Sequence, residues 1–532
     1  MAYLLHQLLS ESAAKLPENT AVACSGERMS YAVLERESSD FARQLLDLGV
    51  EKGDRVGLYL AKSLDSMVAV CGILKTGAAY VPLNTLAPTS YLEYIIDHCG
   101  IKTLVTEQAK LETITEITAR DTLLERVVVM DGAEPDTEPG KPRMFARSKE
   151  RPTDSPRAAS DNLTDGDVAY ILFTSGSTGQ PKGVTISHLN SLTFVNMAHD
   201  FFGIDERDVI ANHAPLHFDL SVFDLFVAFK AGACVTIVPE LASNFPSVLA
   251  EFIASSKITV WNSVPSVLSL LVSYAKLERF DLSSLRLIVF SGEVFPLKHL
   301  RRLKDALPSA RLYNVYGQTE ANSSMYFPVD ELPADDSQAI PIGKPFPNFE
   351  VFAIDEEGRR IREAGETGEL YVRSASVALG YWGDPTRTNQ SFVGNPLHTN
   401  FRETVYKTGD RVALDHDGNY LFLGRADHLF KSRGYRIEVG EIETAIRGYP
   451  GVKTGVVIPI PDELIGNKIA AVVVGEEPGK LEKREIIEHC HDRLPKYMIP
   501  EILEFRDSLP TTSSGKTDRK TLLQELTSQT DQ

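Results

Sequence analysis

Residues 171–184 read Ile-Leu-Phe-Thr-Ser-Gly-Ser-Thr-Gly-Gln-Pro-Lys-Gly-Val. The apolar run Val168, Ile171, Leu172 and Phe173 predicts a buried strand, which breaks into Thr174-Ser175-Gly176-Ser177-Thr178-Gly179 and then Pro181, Lys182 and Gly183. Glycines let the backbone take positive φ and approach a ligand closely, so successive N–H groups can converge on an anion. The hydroxyls of Thr174, Ser175, Ser177 and Thr178 add donors, and Lys182 adds a point charge. Such a loop grips phosphate. It is not the G-x-x-x-x-G-K-[ST] loop of the P-loop NTPases, because no second glycine follows the four-residue gap and no metal-binding hydroxyl follows the lysine.

Outward from this loop, short Val/Leu/Tyr runs alternate with helical periodicity. Strands are predicted at 55–61, 79–83 and 102–106, and helices at 65–76 and 91–98. Further strands follow at 168–173, 234–238, 258–262, 286–290 and 311–316. Such βαβ repetition predicts an α/β fold with parallel-rich sheets covered by helices. The first residues predict an amphipathic helix. Residues 131–165 are charged and rich in Pro and Ser, and predict a loose surface loop. After Ile342 the chain turns β-like, with strands at 350–354 and 368–373, predicting a smaller barrel or second sheet. A small α+β unit follows a boundary near Asp427, with a strand at 469–474 and a helix at 484–494. The domains expected are 1–426 and 427–532.

At 532 residues the chain is too long for one core. A net charge of −18 argues against a nucleic-acid partner, which favours a basic face. The five cysteines are scattered, without a CxxC pair, as expected of a reducing cytoplasm and of neither a disulfide framework nor a zinc site. The N-terminus lacks a signal peptide's basic region and long apolar run, and no apolar run approaches the ~18 residues of a membrane span. A cytoplasmic protein is expected.

Further motifs carry chemistry. Asn314-Val-Tyr316-Gly317-Gln-Thr319-Glu320 follows a predicted strand. Tyr316 suits one face of an adenine, Asn314 the base edge, Thr319 an α-phosphate, and Glu320 is a hard oxygen ligand for Mg²⁺. Tyr406-Lys-Thr-Gly-Asp410 ends in a carboxylate able to accept two ribose hydroxyls. Together with residues 174–182, these motifs resemble, in order and over almost all of residues 1–525, the adenylate-forming enzymes: amino-acid adenylation domains, acyl- and aryl-CoA ligases, and luciferases.

The resemblance implies ATP and Mg²⁺ as cofactors. It also implies that Gly317, Phe422 and Arg425 lie by the nucleotide and that Asp427 is the hinge of a mobile C-terminal domain. Lys516, in Ser514-Gly515-Lys516, would swing in to bridge the substrate carboxylate and the α-phosphate. An anionic carboxylate attacking an anionic phosphorus requires positive charge placed beforehand.

The segment His217-Phe-Asp219-Leu-Ser-Val-Phe-Asp224 resembles the branch that activates α-amino acids, in which the residue matching Asp219 pairs with the substrate ammonium. The alternative for Asp219 is a helix cap. Carried over position by position, the rest of the pocket is Leu220, Phe223, Asn262, Val289, Ser291, Val315, Ser323 and Ser324. It holds no charge besides Asp219, which disfavours Lys, Arg, Asp and Glu as substrates. A small neutral amino acid is expected, of the alanine, glycine, serine, cysteine or proline class. His217 is expected to gate the thiol channel.

The sequence stops soon after Lys516, so the reading is of a stand-alone ligase that hands its aminoacyl group to the phosphopantetheine of a separate carrier protein. Non-ribosomal peptide or related natural-product synthesis is what the resemblance implies. D-alanine transfer to a carrier, an acyl-CoA ligase for an acid lacking an amine, and a non-catalytic nucleotide-binding scaffold are the alternatives.

Overall fold

The computed structural model describes residues 2–120, 122–132, 141–148, 162–176, 180–335, 339–425, 429–477, 480–510 and 517–530. Two large sheets carry the N-terminal part. In the eight-stranded sheet the spatial order is Gly380–Tyr381, Lys182–Ser187, Val168–Thr174, Ala79–Pro82, Arg55–Tyr59, Thr103–Thr106, Arg126–Val129 and Arg143–Ala146. From Val168–Thr174 to the last of these every pairing is parallel. The nine-stranded sheet runs Lys344–Pro345, Asn322–Pro328, Arg311–Gln318, Leu287–Ser291, Val260–Ser263, Val209–Asn212, Cys234–Ile237, Thr20–Cys24 and Glu27–Ser30, parallel except at its two ends. Its central strands are apolar and buried on both faces, as strands covered by helices on both sides must be.

The helix Leu64–Thr76 shows why the two sheets form one body. Every residue from Ser66 to Thr76 is buried, because its sequence, SMVAVCGILKT, is apolar around almost the whole circumference. Ser63 caps its start by accepting from Ser66 N–H, and Gly77 ends it in the left-handed region at φ 81°.

A third, antiparallel sheet holds Glu350–Ile354, Thr367–Arg373, Thr404–Leu414, Phe392–Gly394 and Tyr420–Arg425. This is the second sheet expected after Ile342. The C-terminal unit consists of a hairpin, Leu429–Ser432 with Tyr435–Glu438, and a three-stranded sheet, Val452–Asp462, Gly466–Gly475 and Ile502–Phe505. Helices Val439–Arg447 and Lys483–His491 pack on it. It has its own core, with Ile437, Ile442, Ile446, Val457, Ile469 and Ile486 all buried. Among the described residues no helix is long and apolar enough to cross a membrane.

Two readings change. The segment 131–165 is not wholly loop: Arg143–Ala146 forms the last parallel strand of the eight-stranded sheet. Its half-buried residues suit a sheet edge, and the charged sequence around it hides a four-residue strand from pattern reading. The segment expected to grip phosphate joins two antiparallel strands, with Thr174 opposite Lys182, so the lysine starts a strand.

Candidate active site

The strands Val168–Thr174, Val260–Ser263, Leu287–Ser291 and Arg311–Gln318 bring one end of each to a cavity of about 650 Å³. Thr174 and Ser175 open it. Thr174 Oγ1 is buried and has no hydrogen-bond partner among the described residues, which a ligand oxygen would remedy. Gly176 has to be glycine, since a Cβ there would lie 2.0 Å from the Gln180 carbonyl oxygen. Ser175 Oγ donates to the Arg436 carbonyl at 2.7 Å, and Gly176 N–H donates to Glu441 Oε2 at 3.3 Å. Ser177, Thr178 and Gly179 lie outside the described residues, as do Asp427 and Lys516.

On the expected nucleotide side, Asn314, Tyr316, Gly317, Thr319, Asp410, Phe422 and Arg425 all line the cavity. The strand bulges between Tyr316 and Gly317, where a Cβ would lie 2.0 Å from the Asn322 carbonyl, so the backbone rises toward the cavity without a side chain. Asp410 is buried. One of its oxygens accepts from the Tyr316 hydroxyl and from Gln318 Nε2, the other from Arg425 Nη1 at 2.6 Å. Asn314 Nδ2 donates to the Pro341 carbonyl at 2.8 Å, which fixes the amide beside the cavity.

On the other side lie His217, Asp219, Leu220, Phe223, Asn262, Val289, Ser291, Val315 and Ser323. Ser324 does not join them. It is fully buried, and its Oγ donates to the Tyr316 carbonyl at 3.4 Å, because alternate residues of a strand face opposite ways. Asp219 precedes a short helix yet does not cap it. Instead Oδ2 accepts from Thr319 Oγ1 at 2.8 Å, and among the described residues no cation stands within ion-pair distance. Burial raises its pKa above the ordinary aspartate value, against the opposing pull of the Thr319 hydrogen bond and of Lys431. After Asp219 the helix widens into a π turn at Phe223–Val227, a local expansion that sequence periodicity does not reveal. Asn262 is held from behind. Its Nδ2 donates to Asp224 Oδ1 at 3.1 Å, and Asn212 Nδ2 donates to Asp224 Oδ2 at 3.0 Å. Burial pushes Asp224 up to about 7. His217 is pushed down to about 4 by burial and by Lys62, so the imidazole is neutral at pH 7.

Glu320, fully buried, lies behind the cavity wall. Tyr381 OH donates to Oε1 at 2.8 Å, Lys182 Nζ stands 3.2 Å from Oε1, and Arg436 Nη1 stands 3.3 and 3.1 Å from the two oxygens. Burial alone would raise this carboxyl, but Arg436 and Lys182 outweigh it and hold the group well below the usual carboxylate range. Hard oxygens of this kind suit Mg²⁺; here they face the Arg436 guanidinium.

Sequence reasoning missed Gln318, Tyr381, Glu293 and the reach of the C-terminal hairpin. Gly434 N–H donates to Glu293 Oε1 at 2.5 Å, the Tyr435 ring packs on Phe218 with centroids 5.6 Å apart, and Lys431 faces the cavity. The basic, glycine-containing segment Lys431-x-Arg433-Gly434-Tyr-Arg436 is the sequence signal that could have found it.

Residues 9–382 match the family described as AMP-binding enzyme, and residues 441–516 match its C-terminal domain. The chain is 36% identical over 523 residues to the L-proline–[L-prolyl-carrier protein] ligase of Pseudomonas fluorescens, covering 98% of this chain and 99% of that protein. It is also 36% identical over 521 residues to a ligase of the same description from Streptomyces coelicolor, covering 96% of each. Among solved structures, IdnL1 superposes with a TM-score of 0.80 at 29% identity, over 96% of this chain and 99% of that one.

Proposed function

The chain belongs to the family of AMP-binding enzymes and is an ATP-dependent, AMP-forming ligase, and from that premise we propose that it activates a small neutral α-amino acid, proline foremost, for transfer to a carrier protein. The observation that carries the amino-acid part is Asp219, a carboxylate deep in the cavity with one hydroxyl donor and no cation beside it among the described residues. Such a group is costly to keep ionised until an ammonium arrives, and an acid lacking the amine leaves it unpaired. Proline comes first because the two relatives named above are prolyl ligases. The side chains of Leu220, Phe223, Val289 and Val315 suit an aliphatic ring.

In this reading the ammonium rests on Asp219 and the carboxylate points toward Thr174 and Thr319. ATP supplies the electrophilic phosphorus. A carboxylate oxygen bonds to the α-phosphorus as the bond to pyrophosphate breaks, giving aminoacyl-AMP. Gly176, Ser175 and Thr174 donate to phosphate oxygens, Asp410 and Arg425 hold the ribose, and Lys516 brings positive charge to the reacting oxygens; Glu320 would hold Mg²⁺, which would supply further positive charge to the phosphates. A phosphopantetheine thiol then attacks the acyl carbon and releases AMP, with neutral His217 lining the approach and rotation about Asp427 exchanging the two half-reactions.

The test is amino-acid-dependent exchange of labelled pyrophosphate into ATP, across the proteinogenic amino acids, D-alanine and simple acids. A strong signal with L-proline or another small neutral amino acid supports the reading. A signal confined to acids without an α-amine overturns it.

A further inference from the structure

Behind the amino-acid side of the cavity stands a group to which the proposed chemistry gives no task. Asp224 is fully buried, and each of its oxygens takes one asparagine amide: Oδ1 accepts from Asn262 Nδ2 at 3.1 Å, and Oδ2 from Asn212 Nδ2 at 3.0 Å. The sheet sets this up. Ile210 pairs in parallel with Val260, so two residues further on the neighbouring strands bring up an asparagine each, Asn212 and Asn262, side by side. The widened turn Phe223–Val227 carries Phe223 at the cavity and Asp224 behind it. A carboxylate offers acceptors only, so both amides must turn their NH₂ groups toward it. Asn262 Nδ2 also donates to the Leu220 carbonyl at 3.4 Å. The amino group of Asn262 is thus spent on the wall, and among the described residues its oxygen receives no hydrogen bond. Since Asn262 lines the cavity, that oxygen is the atom left for a ligand.

From this we infer that Asp224 is a positioning residue for substrate selection: acting through Asn262, it fixes that amide with its oxygen toward the cavity, where the side chain of the amino acid meets an acceptor. The inference rests on the function proposed above. Lys62, whose Nζ donates to the carbonyls of Asn212 and His213 at 2.7 and 2.8 Å, places an opposite charge near Asp224. Asp224 therefore has two things to offer, a charge and an acceptor, and replacement by asparagine tells them apart. Asn212 Oδ1 is buried without a hydrogen-bond partner among the described residues. In Asp224→Asn, Asn212 can turn that oxygen to the new amide, which leaves the oxygen of residue 224 for Asn262. A side chain at 224 with no acceptor leaves the buried amide unpaired, with nothing to hold its orientation.

The test is the KM and kcat of amino-acid-dependent pyrophosphate exchange in wild type, Asp224→Leu, Asn262→Ala and the double variant, with the amino acid that wild type uses best. Leucine keeps the branched skeleton of aspartate without its oxygens. Asp224→Leu is expected to raise KM for the amino acid roughly tenfold and to leave kcat within about twofold, because the reacting carboxylate end is untouched. Asn262→Ala is expected to raise KM by a similar factor, and the double variant no further. Asp224→Asn is expected to stay near the wild type. Where thermal melting shows that Asp224→Leu does not fold, Asp224→Ala takes its place. Effects that multiply in the double variant overturn the inference. So does an unmoved KM in Asn262→Ala, which needs no variant of Asp224, or a loss in Asp224→Asn as large as that in Asp224→Leu. Exchange by the wild type separates the two levels. If it is absent with every amino acid, the function reading fails and takes the positioning role with it; if it is present while the two substitutions multiply, only the positioning role fails.

Discussion

Replacing Asp219 by Asn removes one charge from the cavity and leaves its shape nearly intact. The structure lets the cost be worked through. Asp219 already lies deep in the protein, and its one hydroxyl donor, Thr319, is 2.8 Å away. Its desolvation is therefore met during folding, and an incoming ammonium gains the pairing without repeating that cost. Breaking a buried pair by removing one partner costs about 3–5 kcal/mol, and at about 1.36 kcal/mol per decade kcat/KM for the amino acid falls roughly 150- to 5,000-fold. The assay is pyrophosphate exchange with L-proline beside its amine-free analogue, cyclopentanecarboxylic acid. Wild type is expected to favour proline by a similar factor, and Asp219→Asn to erase most of that preference. Thermal melting adds a second, opposite readout. The variant should melt higher than the wild type at a pH above the raised pKa, because there the ionised group destabilises the empty protein. A loss below about fivefold, or a wild type that accepts the amine-free acid equally well, refutes the assignment of Asp219.

The same raised pKa sets a pH dependence. The folded protein binds the Asp219 proton more tightly than the unfolded chain does, so this group's contribution to stability falls as pH rises from the ordinary aspartate value through the raised one. Below that raised value the ammonium partner is lost, and the acid limb of kcat/KM for the amino acid should lie above the range of an ordinary aspartate. Gly434→Ala should slow transfer to a pantetheine thiol far more than it slows pyrophosphate exchange. Gly434 adopts φ +82°, and an added Cβ would lie 2.5 Å from Val264 Cγ1, so the hairpin could not dock as it does. Lys516→Ala is expected to abolish aminoacyl-AMP formation in the exchange assay, and full activity would remove Lys516 from the mechanism. Asp208→Ala should destabilise the nine-stranded sheet by about 3–5 kcal/mol in denaturant titration. Its buried carboxylate takes Arg286 through Nε at 2.8 Å and Nη2 at 2.5 Å, and Thr259 Oγ1 at 2.7 Å, across the ends of three strands.

Much of this molecule is legible in its residues taken in order. The helix Leu64–Thr76 and the strands Ala79–Pro82, Thr103–Thr106 and Val168–Thr174 announce themselves, since apolar runs, caps and glycines act within a few residues of one another, whereas the short strands Arg126–Val129 and Arg143–Ala146 do not. The segment expected to grip phosphate is legible in the same way, as hydroxyls and glycines close together in sequence with a lysine after them. Asp219 is more ambiguous in sequence. Beside a helix start it reads equally as a cap, and only the position of Thr319, a hundred residues away, decides otherwise. Lys182 looked like a loop charge until antiparallel pairing set it opposite Thr174 and folding buried it against Glu320. Ser324 looked like a pocket residue until strand alternation turned it inward.

Local physics, acting through backbone conformation and the period of apolar residues, is written along the chain, and from it follow the α/β class, the order of the elements and the identity of the chemical groups. Which group meets which was decided only by the tertiary structure. Arg436 reaches Glu320 across 116 residues, and Glu441 reaches Gly176 across 265. Electrostatic pairing and burial depend on distance in space, and no spacing along a sequence records a contact that long-range packing alone creates.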